Sequence, residues 1–229
     1  MIGFLKNNWY LALYFFISIF SIGPLLSPGF FPMHDDTQVA RVFEMAKSLS
    51  HGMLPVRWVE DLGYGFGYPI FNFYSVFPYY VGGFLTLIGI DALQATKIVF
   101  IFALIGAGVS MFFLVKEFFG KTAGLAAALI YLYFPYHAVN IYVRGDLAEA
   151  LAYAFMPLVF LSLFKIHQLS KSSKKYILLG SLSIAGVVLS HNLSALMLFI
   201  FIGVFIIVSL AVNKSRKNLL VLYGVLLSL

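Results

Sequence analysis

The sequence predicts an all-α polytopic membrane protein, and three observations carry that prediction. Of 229 residues, 62% are hydrophobic and only 10% are charged, against roughly 25% charged in soluble domains. The mean hydropathy is +0.95, too apolar for a soluble fold to cover. The apolar residues also fall into blocks near the roughly 20 residues needed to span a bilayer. The lipid bilayer is therefore the first partner. The net charge of +6 reads as lysines flanking spans, which report orientation, and not as a nucleic-acid surface. With no cysteine in the chain, disulfides and thiolate metal sites are excluded.

The elements follow in order. Apolar runs occupy 9–28, 76–90, 96–115, 122–136, 149–164 and 176–212, with 219–229 incomplete. Trp9–Pro28 exceeds a signal-peptide core and precedes no small-residue cleavage site, so it is a retained span. In Thr37–His51, Val39, Val42, Phe43, Ala46 and Leu49 recur at helical spacing, with Arg41, Glu44, Lys47 and Ser48 opposite. That pattern predicts a helix lying flat on the membrane. Run 176–212 is too long for one crossing, and His191-Asn192 near its middle predicts a turn between two short spans. The segment from Leu219 to Leu229 is too short to cross. Residues 1–229 are thus expected to be the N-terminal part of a longer single transmembrane domain.

Run 76–90 is short and interrupted by Pro78, Gly82, Gly83 and Gly89. If it crossed, only Lys6, Lys97 and Arg144 of the 15 lysines and arginines would be cytoplasmic, against the positive-inside rule. If it stays in the outer leaflet, Lys6, Lys116, Lys121, Lys165, Lys171, Lys174, Lys175, Lys214, Arg216 and Lys217 all fall inside. The second topology is preferred. It makes 29–95 a first external loop with juxtamembrane helices. It also puts Asp35-Asp36, the 137–148 loop and His191-Asn192 on one outer face of a plasma-membrane protein.

Those three clusters carry the chemistry. Paired aspartates beside hydrocarbon are costly. In His34-Asp35-Asp36 a carboxylate serves as general base or metal ligand, or Asp36 merely caps the next helix. Within Tyr142-Val-Arg-Gly-Asp-Leu-Ala-Glu149, Asp146 and Glu149 share a helix face. Arg144 there either pairs with Asp146 or presents a planar fork to a phosphate. His191 in a turn is more often structural than chemical. The aromatic, glycine-rich 63–83 stretch fits an interfacial belt, and flat rings also suit stacking on a sugar. No P-loop, dinucleotide fingerprint, metalloprotease helix or zinc pattern occurs.

A span, an acidic external loop, a juxtamembrane helix and a second acidic loop together resemble the GT-C glycosyltransferase architecture. The series Met33–Asp36, His51–Trp58, Gly65–Pro69, Phe73-Tyr74, Tyr142–Glu149 and Ser190–Ser194 resembles the membrane family called 6-pyruvoyl-tetrahydropterin synthase-related. Pterin synthases themselves are soluble and hold zinc in a histidine cluster, whereas the five histidines here are scattered. The resemblance implies a GT-C-like bundle that moves a sugar from a polyprenyl-phosphate donor to an extracytoplasmic acceptor. It implies Asp35 or Asp36 as base, with Asp146 and Glu149 as second-loop acids. Arg144 and Arg57 become phosphate ligands, and His34, Trp58, Tyr74, His191 and Asn192 further substrate contacts. A divalent ion, Mg or Mn, is the one cofactor implied, with Asp35, Asp36 and Asp146 as its candidate ligands. Two other classes fit the same residues. One is a transporter or flippase of lipid-linked saccharides, which predicts broken helices and an internal repeat. The other is a non-catalytic membrane subunit whose polar residues cap helices.

Overall fold

The computed structural model describes residues 2–168, 174–212 and 224, with side-chain surroundings from Trp9 onward. The incomplete 219–229 segment and Lys171, Lys214, Arg216 and Lys217 lie outside those residues. Among the described residues the regular structure is helical, with a single isolated antiparallel bridge, Val59 to Tyr68. The helices are α1 (Ile2–Leu26), α2 (Gln38–Ser50), α3 (Phe77–Leu87), α4 (Ala92–Leu132), α5 (Pro135–Val139), α6 (Leu147–Gln168), α7 (Lys174–Ser190) and α8 (Asn192–Val212). An all-α, multi-pass membrane protein results, with several helices long and apolar enough to cross.

α4 is two helical arms. Gly120 has φ 83° and ψ 177°, outside helical space, and reverses the chain between Lys116 and Lys121. The two arms pack closely, since a Cβ on Gly124 would lie 3.1 Å from the Phe112 carbonyl oxygen. The return arm is itself broken. It stops at Leu132, resumes as α5, and finishes in a five-residue π-helix, Asn140–Arg144. Tyr142 closes this irregular stretch against α1 by donating its hydroxyl to the Ser21 carbonyl. Tyr133 does the same to Ile17 at 2.7 Å. Backbone freed in a membrane must be satisfied internally, and these bonds to α1 anchor the break.

His191 separates α7 from α8, as its turn position predicts. α3 has 11 residues, about 16 Å at 1.5 Å per residue, which is too short to cross. It lies instead under α2. A Cβ on Gly82 would meet Val42 at 2.8 Å and one on Gly83 would meet Met45 at 2.7 Å, so the two glycines let the helices touch. Here the expectation for α2 needs correcting. Its buried side holds Gln38, Val42, Glu44, Met45, Ala46 and Ser48, while Phe43 stays 49% exposed. One side of the helix seats on protein, and Glu44 and Ser48, expected on its polar face, are buried there, because polar groups at 38 and 44 find partners inside. Glu44 accepts from the Asp61 amide at 3.3 Å, and burial raises its pKa above the usual carboxylate range.

Two ends of the bundle emerge. At one, Lys165 pairs with Glu117 and Lys121 lies over the Tyr10 ring at 5.1 Å. At the other, the long loop carrying α2 and α3 reaches α7 and α8. Val76 N–H donates to the Leu189 carbonyl at 3.2 Å, and Asn192 Nδ2 donates to the Phe73 carbonyl at 3.3 Å.

Candidate functional site

At this second end two loops meet through the backbone. His34 N–H donates to the Val143 carbonyl at 2.9 Å and Asp35 N–H to the Arg144 carbonyl at 2.8 Å. The Gln38 side-chain amide adds a bond to the Gly145 carbonyl at 2.8 Å. Gly145 has φ 72°, and a Cβ there would sit 2.1 Å from Met33 Sδ. Only glycine permits both that backbone and that approach.

Asp35 is held from three directions, accepting from Thr37 Oγ1 at 2.9 Å, Gln38 Nε2 at 2.7 Å and Arg41 Nη1 at 3.1 Å. Behind it Tyr79 donates to Gln38 Oε1 at 2.7 Å and accepts from Arg41 at 3.3 Å. The Arg41 guanidinium lies 4.7 Å from the Tyr74 ring centroid. Burial pushes the hydroxyl pKa of Tyr79 well above its ordinary value and that of Tyr74 upward, so Tyr79 stays a proton donor to Gln38. Asp36 does not cap α2. Thr37 occupies the cap position without a side-chain bond. The Asp36 side chain is exposed, with no hydrogen-bond or ion-pair partner among the described residues.

Arg144 organises the second half. Its Nη1 reaches Glu149 Oε2 at 2.5 Å, Tyr136 at 2.8 Å and Asn140 Oδ1 at 3.1 Å, and its Nη2 reaches Asp146 Oδ2 at 3.2 Å. Asp146 Oδ1 also caps α6 by accepting from the Glu149 amide at 2.9 Å. The ion-pair reading of Arg144 therefore holds, and Asp146 is the helix cap as well. Glu149 accepts further from Tyr153 at 2.5 Å and Tyr136 at 3.0 Å. His191 joins from the α7–α8 turn, its Nε2 3.9 Å from Asp146 Oδ2. The guanidinium keeps Nε–H and one Nη2–H with no acceptor among the described residues, which leaves one edge of the fork for a ligand.

The space follows from these placements. His34, Asp35, Arg144 and Asp146 line a cleft of 270 Å³. Beside it, Tyr136, Arg144, Glu149, Tyr153 and His191 line a groove of 490 Å³. A mainly apolar hollow of 320 Å³ between α6 and α8 continues from it, sharing Tyr153 and Met197.

Asp146, Glu149 and His191 have ligand atoms within 4.8 Å of one another, yet the set does not fit a divalent cation as it stands. Arg144 already occupies both carboxylates. His191 Nδ1 takes the Ser194 amide proton at 3.3 Å, so in the neutral ring Nε2 carries the hydrogen and offers no lone pair. Asp35 accepts three hydrogen bonds and keeps one acceptor site, on Oδ1, and Asp36 does not line the cleft.

Of the residues singled out from sequence, the structure gathers His34, Asp35, Arg144, Asp146, Glu149 and His191, with Tyr74 behind Arg41. Asn192 serves the interloop bond to Phe73. Arg57 and Trp58 stand apart. Arg57 lines a separate 200 Å³ hollow with Phe71 and Tyr80, and Trp58 packs against Gly67, whose Cβ would fall 2.4 Å from Nε1. Sequence reasoning missed Gln38, Tyr79, Tyr136, Asn140 and Tyr153. For Gln38 a signal existed, since it falls in line with Val42, Met45 and Leu49 on the inward stripe of α2.

Replacing Arg144 tests the cluster. Removing one partner of a buried pair costs about 3–5 kcal/mol. Arg144 is 42% exposed, so Arg144→Gln is expected to destabilise the protein by about half that, with Glu149→Gln in the same chain restoring part of it. Thermal unfolding in detergent measures both, and an unchanged Arg144→Gln midpoint would remove the cluster's organising role.

The fold and site define a multi-pass α-helical membrane protein with a composite polar site at one end of its bundle. The 6-pyruvoyl-tetrahydropterin synthase related domain, a membrane-protein family, matches residues 71–229, and the chain belongs to that family. No curated protein and no solved structure matches it.

Proposed function

We propose that this chain is a membrane glycosyltransferase that moves a sugar from a polyprenyl-phosphate donor to an acceptor outside the cytoplasm. The observation that carries the reading is the latch between the Met33–Asp36 loop and Arg144-Gly145. It puts a carboxylate, Asp35, and a guanidinium with an open edge, Arg144, on one 270 Å³ cleft. The polar groove beside it runs on into an apolar hollow between α6 and α8, where a polyprenyl tail would lie.

In the proposed reaction the acceptor hydroxyl attacks the anomeric carbon and gives its proton to Asp35. The bond from that carbon to the phosphate oxygen breaks, and polyprenyl phosphate leaves with the electron pair. Arg144 meets the charge that develops on the phosphate. Because Arg144 also serves Asp146 and Glu149, the phosphate competes with two carboxylates for it. The apolar hollow would add van der Waals contact with the polyprenyl tail, but little hydrophobic free energy, because the tail comes from lipid and not from water.

The direct test is turnover in proteoliposomes, with a polyprenyl-phosphate-linked hexose as donor and envelope saccharides as acceptors. Transfer with release of polyprenyl phosphate supports the reading. The broken crossing Leu132–Arg144 favours a second one, transport of the lipid-linked saccharide, since transporters bind at interrupted helices. Movement of intact donor between leaflets without product would select transport and overturn transfer.

Orientation is testable separately. With no native cysteine in the chain, cysteines introduced at Thr37, Val143 and Asn192 are expected to react with an impermeant maleimide added outside cells. One at Lys121 is expected to stay unlabelled until the membrane is opened. The reverse pattern would place the site in the cytoplasm and sink the extracytoplasmic acceptor.

A further inference from the structure

A separate cavity lies away from this site, toward the lysine end. It is a groove of 680 Å³ walled by α4 and α7 with α6 as its floor. On α4 it runs from Phe102 to Lys116, about 21 Å along the helix axis. Small residues keep it open, since a Cβ on Gly106 would already lie 3.4 Å from Ala154 Cβ. At the site end it is shut by α3. Phe77 meets Phe155 at 6.0 Å, and the Val76 amide is bonded to Leu189 at 3.2 Å.

At its other end stand Lys116, Glu117 and Lys175. Glu117 is neutralised by Lys165. Lys116 leans on the rings of Phe113 and Phe112, at 4.2 and 5.2 Å, and Lys175 lies 5.7 Å from the Tyr176 ring. Neither lysine has a carboxylate partner among the described residues. Lysines flanking spans ordinarily snorkel to the headgroup layer. These two do so at the mouth of an apolar slot of acyl-chain dimensions, so the slot and the charges select the same kind of molecule.

We propose that this groove holds one anionic glycerophospholipid from the lysine-bearing leaflet, with an acyl chain along α4 and its phosphate between Lys116 and Lys175. The site shares no residue with the candidate transfer site and stands whether or not that reading does.

Native mass spectrometry of the full chain, released from mild detergent with phosphatidylglycerol and phosphatidylcholine at equal concentration, tests it. One phosphatidylglycerol is expected to be retained in preference to phosphatidylcholine. Each lysine near a headgroup contributes about fivefold, so Lys116→Gln with Lys175→Gln is expected to lower phosphatidylglycerol retention by roughly 25-fold and leave phosphatidylcholine unchanged. Val109→Trp, which fills the slot, is expected to remove both. If the double variant keeps phosphatidylglycerol at the wild-type level, or no lipid is retained by the native chain, the proposal fails. Displacement of phosphatidylglycerol by equimolar undecaprenyl phosphate would equally overturn it, since the slot would then belong to a polyprenyl chain. The lysine variants alone decide the matter should Val109→Trp not fold, because Lys175 is exposed and Lys116 partly so.

Discussion

Asp35→Asn is expected to lower sugar transfer by roughly 10²–10⁴-fold, the range for loss of a general base, while Asp36→Asn leaves it within a small factor. The two residues are adjacent in sequence but opposite in setting. Asp35 lines the cleft with Arg144 and Asp146, whereas Asp36 is exposed and unpartnered among the described residues. With its oxygen in the Oδ2 position, an asparagine at 35 keeps the bonds from Gln38 and Arg41 and loses the charge and the bond from Thr37. The fold should therefore survive, and unfolding temperatures near wild type would show it. Turnover of Asp35→Asn at the wild-type rate would remove the base from the proposed mechanism. An equal loss in both variants would mean that net charge, not position, matters.

Gly145→Ala is expected to produce the largest structural effect. The residue sits at φ 72°, where a side chain costs about 1–2 kcal/mol. The new methyl would also lie 2.1, 2.8 and 3.1 Å from Sδ, Cγ and Cβ of Met33. A flexible thioether could swing away, but Cβ moves only with its backbone. The loop must shift, at the expense of hydrogen bonds worth about 1 kcal/mol each. The expected loss is roughly 3–5 kcal/mol, with transfer abolished. Adding Met33→Ala removes most of the clash and leaves the backbone strain, so the double variant should recover most of the stability by thermal unfolding. If Gly145→Ala alone unfolds like wild type, the two loops are not latched as described.

Much of this was legible in the sequence, for reasons that differ by residue. Spans announce themselves by apolar length, so the crossings, the break at His191 and the shortness of α3 follow from composition. Lys116 and Lys121 bracket the Gly120 reversal because charges leave the bilayer. The grouping of the 34–36, 144–149 and 191 clusters at one end followed from alternating the spans. Their junction did not, because it is made by main-chain groups of His34, Asp35, Val143 and Arg144, and main chain carries no residue signature. The inward face of α2 was misread because Glu44 and Ser48 look like solvent residues until the Asp61 amide and the Trp58 carbonyl arrive from elsewhere in the chain. Tyr136 and Tyr153 had no spacing of their own to set them apart among 14 tyrosines.

The loop-to-loop latch also sets a clock on the protein's birth. Gln38 waits for a carbonyl 107 residues further along the chain. At synthesis rates of about 5–20 residues per second, that is a delay of roughly 5–20 seconds. During it α2 stands beside the membrane with a polar side chain on its inward stripe and no partner from the second loop. A nascent chain stalled before Gly145 presents that half-finished surface for as long as it persists, and so offers quality-control proteases a mark that the completed chain conceals.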